Sequence, residues 1–176
     1  MDYPKMIRFI PLVTAFLSAS MIYPVCAQNQ RDGAALVEMF DKWGTYATRS
    51  GKKICYAMSK PTERKPDNLN RDPGYVFVSS RPSDSISEEV VFVVGFPIKK
   101  DSEATLQIGT EKFQMFTDGS SVWARSPEEQ TRIVAAMRKG SSLSISAISM
   151  RGNKSTDSYS LAGVTKALNR AKQECR

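Results

Sequence analysis

Residues 90–124 read VVFVVGFPIKKDSEATLQIGTEKFQMFTDGSSVWA, and this stretch decides the fold class. The run 90–96 is almost continuously apolar, as in a strand that is covered on both faces. Residues 105–108 and 111–116 place apolar side chains in alternation on either side of Gly109, which predicts a hairpin. Short strands separated by turn residues in this way favour a mainly β protein.

Upstream of this stretch the chain also consists of short elements. Residues 35–40 predict a helical turn, and residues 43–49 and 54–58 predict a hairpin that carries Cys55. Residues 59–74 contain three prolines and many charges, so they predict a long loop. That loop is expected to be either a disordered connection or a functional protrusion.

Downstream, two helices are predicted. Ser126 suits the N-cap of the first helix, Pro127 its first position, and Glu129 completes a capping box. Gly140 suits its end. Residues 162–174 predict a helix at the end of the chain. Roughly eight short antiparallel strands, one late helix and a C-terminal helix favour a β-sandwich or a partly open barrel, and the expected fold is an immunoglobulin-like β-sandwich.

The first 27 residues predict a cleaved signal peptide. Lys5 and Arg8 form a basic start, a short apolar segment follows, and Val25-Cys26-Ala27 fits the small-x-Ala rule of signal peptidase. The apolar segment is too short and too interrupted to span a bilayer. We therefore expect cleavage between Ala27 and Gln28, export of the chain, and no transmembrane segment in the mature protein.

The mature chain, residues 28–176, has the size of one domain and keeps two cysteines, Cys55 and Cys175. Two cysteines in an exported protein usually pair. The bridge would close a loop of about 120 residues, which is worth up to ~5 kcal/mol in the chain-entropy model. The competing interpretation, a lipid anchor on Cys26, needs small residues before the cysteine, and Tyr23-Pro24-Val25 does not supply them.

The sequence contains no histidine, which excludes a Ser-His-Asp triad, a Cys-His pair and an imidazole metal ligand. Glu128 and Glu129 fall in the first turn of a predicted helix, where carboxylates favourably meet the helix dipole. No glycine-rich phosphate loop is present. We therefore predict no enzymatic activity and assign no catalytic, cofactor-binding or metal-binding residue.

The chain carries a formal net charge of +7 at pH 7, which favours anionic neighbours such as an envelope polymer. Nucleic acid is not an expected partner, because export removes most of it from reach. Seven basic residues fall at predicted turns, and we expect them to be spread evenly over the surface. They are Lys52, Lys53, Lys65, Lys99, Lys100, Arg151 and Lys154.

Nearly the whole mature chain resembles the invasion-associated locus B family. The matching segments, behind the leader, are Trp43 followed by Cys55, YVFVSSRP at 75–82, residues 90–124, and DSYSLAGVTKAL at 157–168. The most specific positions are Arg81-Pro82, Phe113-x-Met115-Phe116, Trp123-Ala124 and Tyr159-Ser160-Leu161-x-Gly163. The resemblance implies one β-sandwich domain in the periplasm or at the surface of Gram-negative bacteria, with some members tied to host-cell entry. It supplies no catalytic residues.

These observations give one main functional hypothesis and an alternative. The main hypothesis is an exported, non-enzymatic envelope or periplasmic protein that contributes to host-cell interaction or invasion by binding an unknown protein or envelope component. The alternative is an exported inhibitor or chaperone-like factor that binds another protein through the 59–74 loop. A third hypothesis is an enzyme of unrecognised type.

Overall fold

The computed structural model of this protein describes residues 33–176. The predicted signal peptide, residues 1–27, and the predicted cleavage site at Ala27 and Gln28 lie outside the described residues and stay predictions.

The described chain alternates short strands with two helices. The strands are β1 Ala34–Phe40, β2 Trp43–Thr48, β3 Cys55–Ser59, β4 Glu63–Lys65, β5 Tyr75–Arg81, β6 Ile86–Val93, β7 Ala104–Ile108, β8 Glu111–Asp118, β9 Ser121–Trp123, β10 Ser142–Ile148 and β11 Lys154–Ser160. The helices are α1 Pro127–Lys139 and α2 Val164–Glu174, and Pro82–Asp84 forms a 3₁₀ turn. The mainly β class with a late helix and a C-terminal helix is therefore confirmed.

Within residues 33–176 the strands form one antiparallel series in the order β1-β2-β3-β5-β6-β9-β8-β7-β10-β11-β4. β8 joins its two parts, because Glu111 to Met115 pair with β7 and Phe116 to Asp118 pair with β9. We call β1, β2, β3, β5, β6 and β9 the first half, and β7, β10, β11 and β4 the second half. An immunoglobulin-like sandwich has two separate sheets, whereas here hydrogen-bonded strands connect both halves.

The two halves enclose one hydrophobic core. Phe92 of β6 and Tyr159 of β11 meet edge to face, with ring centroids 6.0 Å apart, although their strands are not neighbours in the series. Helix α2 packs on β2, where the Thr45 hydroxyl donates to the Ala167 carbonyl at 2.9 Å. Because the core side of each strand is buried, the opposite side of both halves is left as an outer face.

The helical turn expected at residues 35–40 is wrong, since these residues form the edge strand β1. Leu36 pairs with Tyr46 of β2, and a register shift follows between Leu36 and Glu38. The segment is too short to be stable as a helix by itself, so pairing with β2 decides its conformation. The additional strands β1 and β4 raise the count above the eight expected.

The start of α1 follows the prediction closely. The Ser126 hydroxyl accepts a hydrogen bond from the Glu129 backbone N–H at 3.2 Å. The Glu129 carboxylate accepts from the Arg125 N–H at 2.9 Å, one residue before the position that a capping box uses. A hydrogen bond from Ser126 lowers the pKa of the neighbouring Glu128, as expected for an acid in the first turn.

Candidate functional site

The Cys55–Cys175 disulfide is present, with the two Cα atoms 5.8 Å apart. It joins β3 to the residue that follows α2, and Cys55 is fully buried beside Ala47 and Ala171. The bridge therefore fixes the last helix against the first half of the sheet, as the sequence predicted.

Residues 59–74 are tied to the fold at both ends, so a disordered connection is not what the structure shows. β4 lies within this segment and pairs with β11, where Arg64 is opposite Asp157. At the other end the Asp72 N–H donates to the Gly95 carbonyl at 3.0 Å. Gly95 has φ +71°, and a Cβ there would lie 2.1 Å from the Asp72 carbonyl oxygen, so this contact requires glycine.

A buried ion cluster lies beneath the 59–74 segment. Asp157 is 2% exposed, and it accepts from Arg64 Nε at 3.0 Å and from Arg71 Nη1 at 3.3 Å. The Arg64 guanidinium also donates to the Asp72 and Val94 carbonyls, both at 2.7 Å. Two guanidiniums share one carboxylate, so we call Arg64, Arg71 and Asp157 the buried ion cluster.

Tyr159 lies in the core two residues after Asp157. Its hydroxyl is buried and has no hydrogen-bond partner among the described residues. Burial raises the pKa of this phenol strongly, and the negative charge of Asp157 raises it further. The group therefore stays neutral at physiological pH.

An open cleft of about 660 Å³ adjoins the buried ion cluster. The end of the 59–74 segment, the loop after β6 and the turn between β10 and β11 form its walls. Its lining combines polar and apolar groups: Asn70, Arg71, Asp72, Ser149, Arg151, Asn153 and Ser155 are polar, and Leu69, Phe96, Pro97 and Met150 are apolar. We call it the ion-cluster cleft.

The basic turn residues gather near this cleft, so the even spread expected from the sequence is not observed. The loop after β6 bonds to the β10–β11 turn through the Lys99 N–H and the Ile148 carbonyl at 2.8 Å. These two connections carry Lys99, Lys100 and Arg151. Lys154 begins β11 directly after the second connection, and Lys65 lies in the adjacent β4. Only Lys52 and Lys53 lie in a different turn, where they pair with Asp84 and Glu174.

The outer face of the first half, extended by the end of β8, carries a row of mostly apolar residues interrupted by Gly44, which we call the outer apolar row. Its members are cross-strand neighbours on seven consecutive strands: Met39, Gly44, Met58, Phe77, Val91, Trp123 and Phe116. Phe116 is 56% exposed and Met39 is 53% exposed, at the two ends of the row. Next to it, the Tyr46 and Tyr56 rings stack at 5.1 Å.

A second cavity, of about 550 Å³, lies where this row reaches β1 and β2. Met39, Tyr46 and Met58 form its apolar part, and Lys42 and Lys60 also line it. Burial raises the pKa of Tyr56, which lies beside this region, and the nearby Tyr46 raises it further. The outer apolar row is thus bordered by lysines and phenols.

Within residues 33–176, no group of three or more acidic or cysteine side chains is placed to hold a metal ion. In the same part of the chain, neither helix is long and apolar enough to cross a membrane.

Comparison with known proteins gives the family. A model described as Invasion associated locus B (IalB) protein matches residues 43–172. The chain belongs to the IalB family. The crystal structure of invasion associated protein B from Bartonella henselae has a similar fold, with a TM-score of 0.53 and 19% identity, covering 79% of this chain and 97% of that one. No curated protein matches the sequence.

The residues that carried the IalB resemblance have structural roles in this fold. The Trp43 indole N–H donates to the Ser160 carbonyl at 2.9 Å, which ties β2 to the end of β11. Gly163 precedes α2 with φ +91°, and a Cβ there would lie 2.0 Å from the Phe40 carbonyl oxygen. Arg81 pairs with Glu89 at 2.8 Å across β5 and β6. These contacts assemble the domain.

Sequence reasoning missed both surfaces. Asp157 is far in the sequence from Arg64 and Arg71, and the pairing of β4 with β11 brings it to them. The outer apolar row had a signal in each strand, because Phe77 and Phe116 break the alternation of apolar and polar residues. Its course across the strands depends on a strand order that the sequence does not show.

Proposed function

We propose that this IalB-family chain is an exported, non-enzymatic binding protein of the Gram-negative cell envelope that contacts a partner protein through the outer apolar row. The predicted signal peptide supports export. The Cys55–Cys175 disulfide supports an oxidising compartment. The family membership supports the envelope as the place of action.

The exposure of large apolar side chains along the outer apolar row carries this proposal. Phe116, Met39 and the adjacent Leu36 are each more than half exposed. These exposed side chains lie at the two ends of the row, and exposed apolar patches on a folded domain mark interaction sites. Aromatic residues and methionine are also the residue types enriched in protein–protein interfaces.

A contribution to host-cell entry is the narrower form of this proposal, and family membership supports it. It predicts that a strain without this protein enters host cells less often and that the native gene restores entry. A Phe116→Ser gene should fail to restore entry although its product accumulates normally. Full restoration by that gene would show that host-cell entry does not depend on the outer apolar row.

Site-specific photocrosslinking tests the proposed surface. A photoreactive phenylalanine analogue replaces Phe116 in the row or, as the control, Gln107 on the outer face of the second half. Both side chains are exposed on strands of the same sheet. We expect a discrete protein adduct in the periplasmic fraction from position 116 and none from position 107. Equal labelling at both positions, or recovery of the protein only from the cytosol, contradicts the proposal.

A further inference from the structure

The buried ion cluster contains one more positive charge than negative charge. Arg71 is only 6% exposed and Asp157 only 2%, and both Arg64 and Arg71 pair with that single carboxylate. Burying charge is costly unless a counter-charge and hydrogen bonds compensate it. The cluster therefore leaves an excess positive charge at the border of the ion-cluster cleft, since Arg71 also lines that cleft.

The Arg71 guanidinium keeps donors that the protein does not use. Nη1 donates to the Ser155 hydroxyl and to Asp157, and Nη2 donates to the Pro66 carbonyl at 2.8 Å. Among the described residues, Nε has no acceptor. A guanidinium held in place with a free N–H beside a cleft suits an anionic oxygen, because charge-assisted hydrogen bonds are the strong ones.

The rim of the cleft adds further positive charge. Arg151 lines it, Lys99 lies in the loop after β6, and Lys154 is the first residue of β11. None of these three forms an ion pair with another residue in the described chain. The acids at this end are Asp72, which lines the cleft, Asp101, which follows Lys100, and Glu63 and Asp67, which lie close to Lys65.

Four apolar side chains also line the cleft. Met150 is 65% exposed, and Phe96, Pro97 and Leu69 line the same space. The walls are fixed to one another, because the Met150 N–H donates to the Pro97 carbonyl at 3.0 Å. A small inorganic anion would leave this apolar surface uncovered.

We infer that the ion-cluster cleft binds a small amphiphilic anion, with its acidic head between Arg71 and Arg151 and its apolar tail along Phe96 and Met150. The cleft volume of about 660 Å³ lies in the range of small-molecule sites. This site is separate from the outer apolar row, so it goes beyond the proposed function. A detached fatty acid and an acidic phospholipid share this chemistry, and the experiment distinguishes them.

The test is calorimetric titration of the mature protein with monomeric dodecanoate. Dodecanol supplies the same chain without charge, and inorganic phosphate supplies an anion without a chain. We expect saturable binding of dodecanoate, with dodecanol and phosphate each binding at least tenfold more weakly, since each lacks one of the two recognised parts. If dodecanol binds as tightly as dodecanoate, the cleft does not recognise the charge. If phosphate binds as tightly as dodecanoate, the cleft does not recognise the apolar tail. Either result overturns the inference.

Matched variants locate the site. Arg151→Gln and Met150→Ser should each weaken dodecanoate binding about tenfold, the equivalent of one charge-assisted hydrogen bond or one buried side chain. Arg49→Gln, in the turn after β2, and Met39→Ser, in the outer apolar row, should leave the binding unchanged. All four residues are partly or fully exposed, so folding is expected to survive. Unchanged binding in both cleft variants overturns the inference.

Competition with lipid vesicles identifies the source of the natural ligand. Competition by phosphatidylglycerol vesicles, absent with phosphatidylcholine vesicles, supports the inference with a membrane lipid as the natural ligand. Failure of both vesicles to compete, with dodecanoate still bound, supports it with a detached fatty acid. Met39→Ser changes only the outer apolar row. If this variant loses the photocrosslink from position 116 but still binds dodecanoate, the two surfaces act independently.

Discussion

The outer faces of the two halves of the sheet differ in chemistry although the strands obey the same alternation. On the second half the outward residues of β7, β10 and β11 are small or polar: Thr105, Gln107, Ser144, Ser146, Thr156 and Ser158. On the first half the corresponding positions form the outer apolar row. Both halves bury apolar residues on the core side, so folding alone does not require apolar residues outside. The difference supports the proposal that the first half contacts a partner protein.

The two halves also differ in what holds them to the rest of the domain. The first half is joined to α2 by a disulfide and by the hydrogen bond from Thr45 to Ala167. The second half is joined to the 59–74 segment by the buried ion cluster. A covalent bond and an uncharged hydrogen bond therefore hold α2 on the first half, and buried charge holds the 59–74 segment on the second half.

The largest expected effect on stability comes from replacing Asp157. Asp157→Ala leaves Arg64 and Arg71 without their shared carboxylate and should lower the free energy of unfolding by about 3–5 kcal/mol. Urea denaturation measures it, and Asp118→Ala, at an exposed strand end, is the control. A loss below about 1 kcal/mol would show that the two arginines find other partners and that the second half does not depend on buried charge.

The disulfide is the matching test for the first half. Cys55→Ser combined with Cys175→Ser should lower the free energy of unfolding by about 2–4 kcal/mol, because the unfolded chain regains the freedom of a large loop. Denaturation of the double variant, compared with the native protein under non-reducing conditions, measures this. An unchanged midpoint would mean that α2 stays on β2 and β3 through packing alone.

The sequence was sufficient to predict the local helices and hairpins, but it was insufficient to predict the outer apolar row and the ion-cluster cleft. Ser126 and Pro127 identified α1, and the alternation around Gly109 identified the β7–β8 hairpin, because caps and turns act over a few residues. The strand at Ala34–Phe40 was missed because a partner strand decides it. The buried ion cluster was missed because Arg64 and Asp157 meet only through long-range pairing, which composition does not report.

A smaller effect is expected at Tyr159, whose hydroxyl lies between the two halves. Tyr159→Phe removes a buried hydroxyl that has no partner and should raise the free energy of unfolding by about 1 kcal/mol at neutral pH. A decrease of that size would show that the hydroxyl has a partner in solution, such as a bound water.

The same residue sets a pH dependence. The pKa of Tyr159 is raised in the folded state, so above the unfolded-state pKa of about 10 the unfolded chain loses this proton first. Stability is therefore complete below about pH 10 and falls as the pH rises further. In Tyr159→Phe this alkaline loss should be smaller but still present, because the pKa of Tyr56 is raised as well. Urea midpoints at pH 8 and pH 11 measure the difference.

The smallest expected change in stability is at the outer apolar row. This prediction tests most directly why the outer faces of the two halves differ. Phe116→Ser removes a side chain that is already more than half exposed, so the free energy of unfolding should change by less than about 0.5 kcal/mol. Gln107→Ser on the outer face of the second half should change it equally little. If stability is equal but only Phe116→Ser abolishes the partner adduct, Phe116 serves contact and not folding. If Phe116→Ser instead costs several kcal/mol, the row is part of the core packing, and the two outer faces differ for reasons of stability alone.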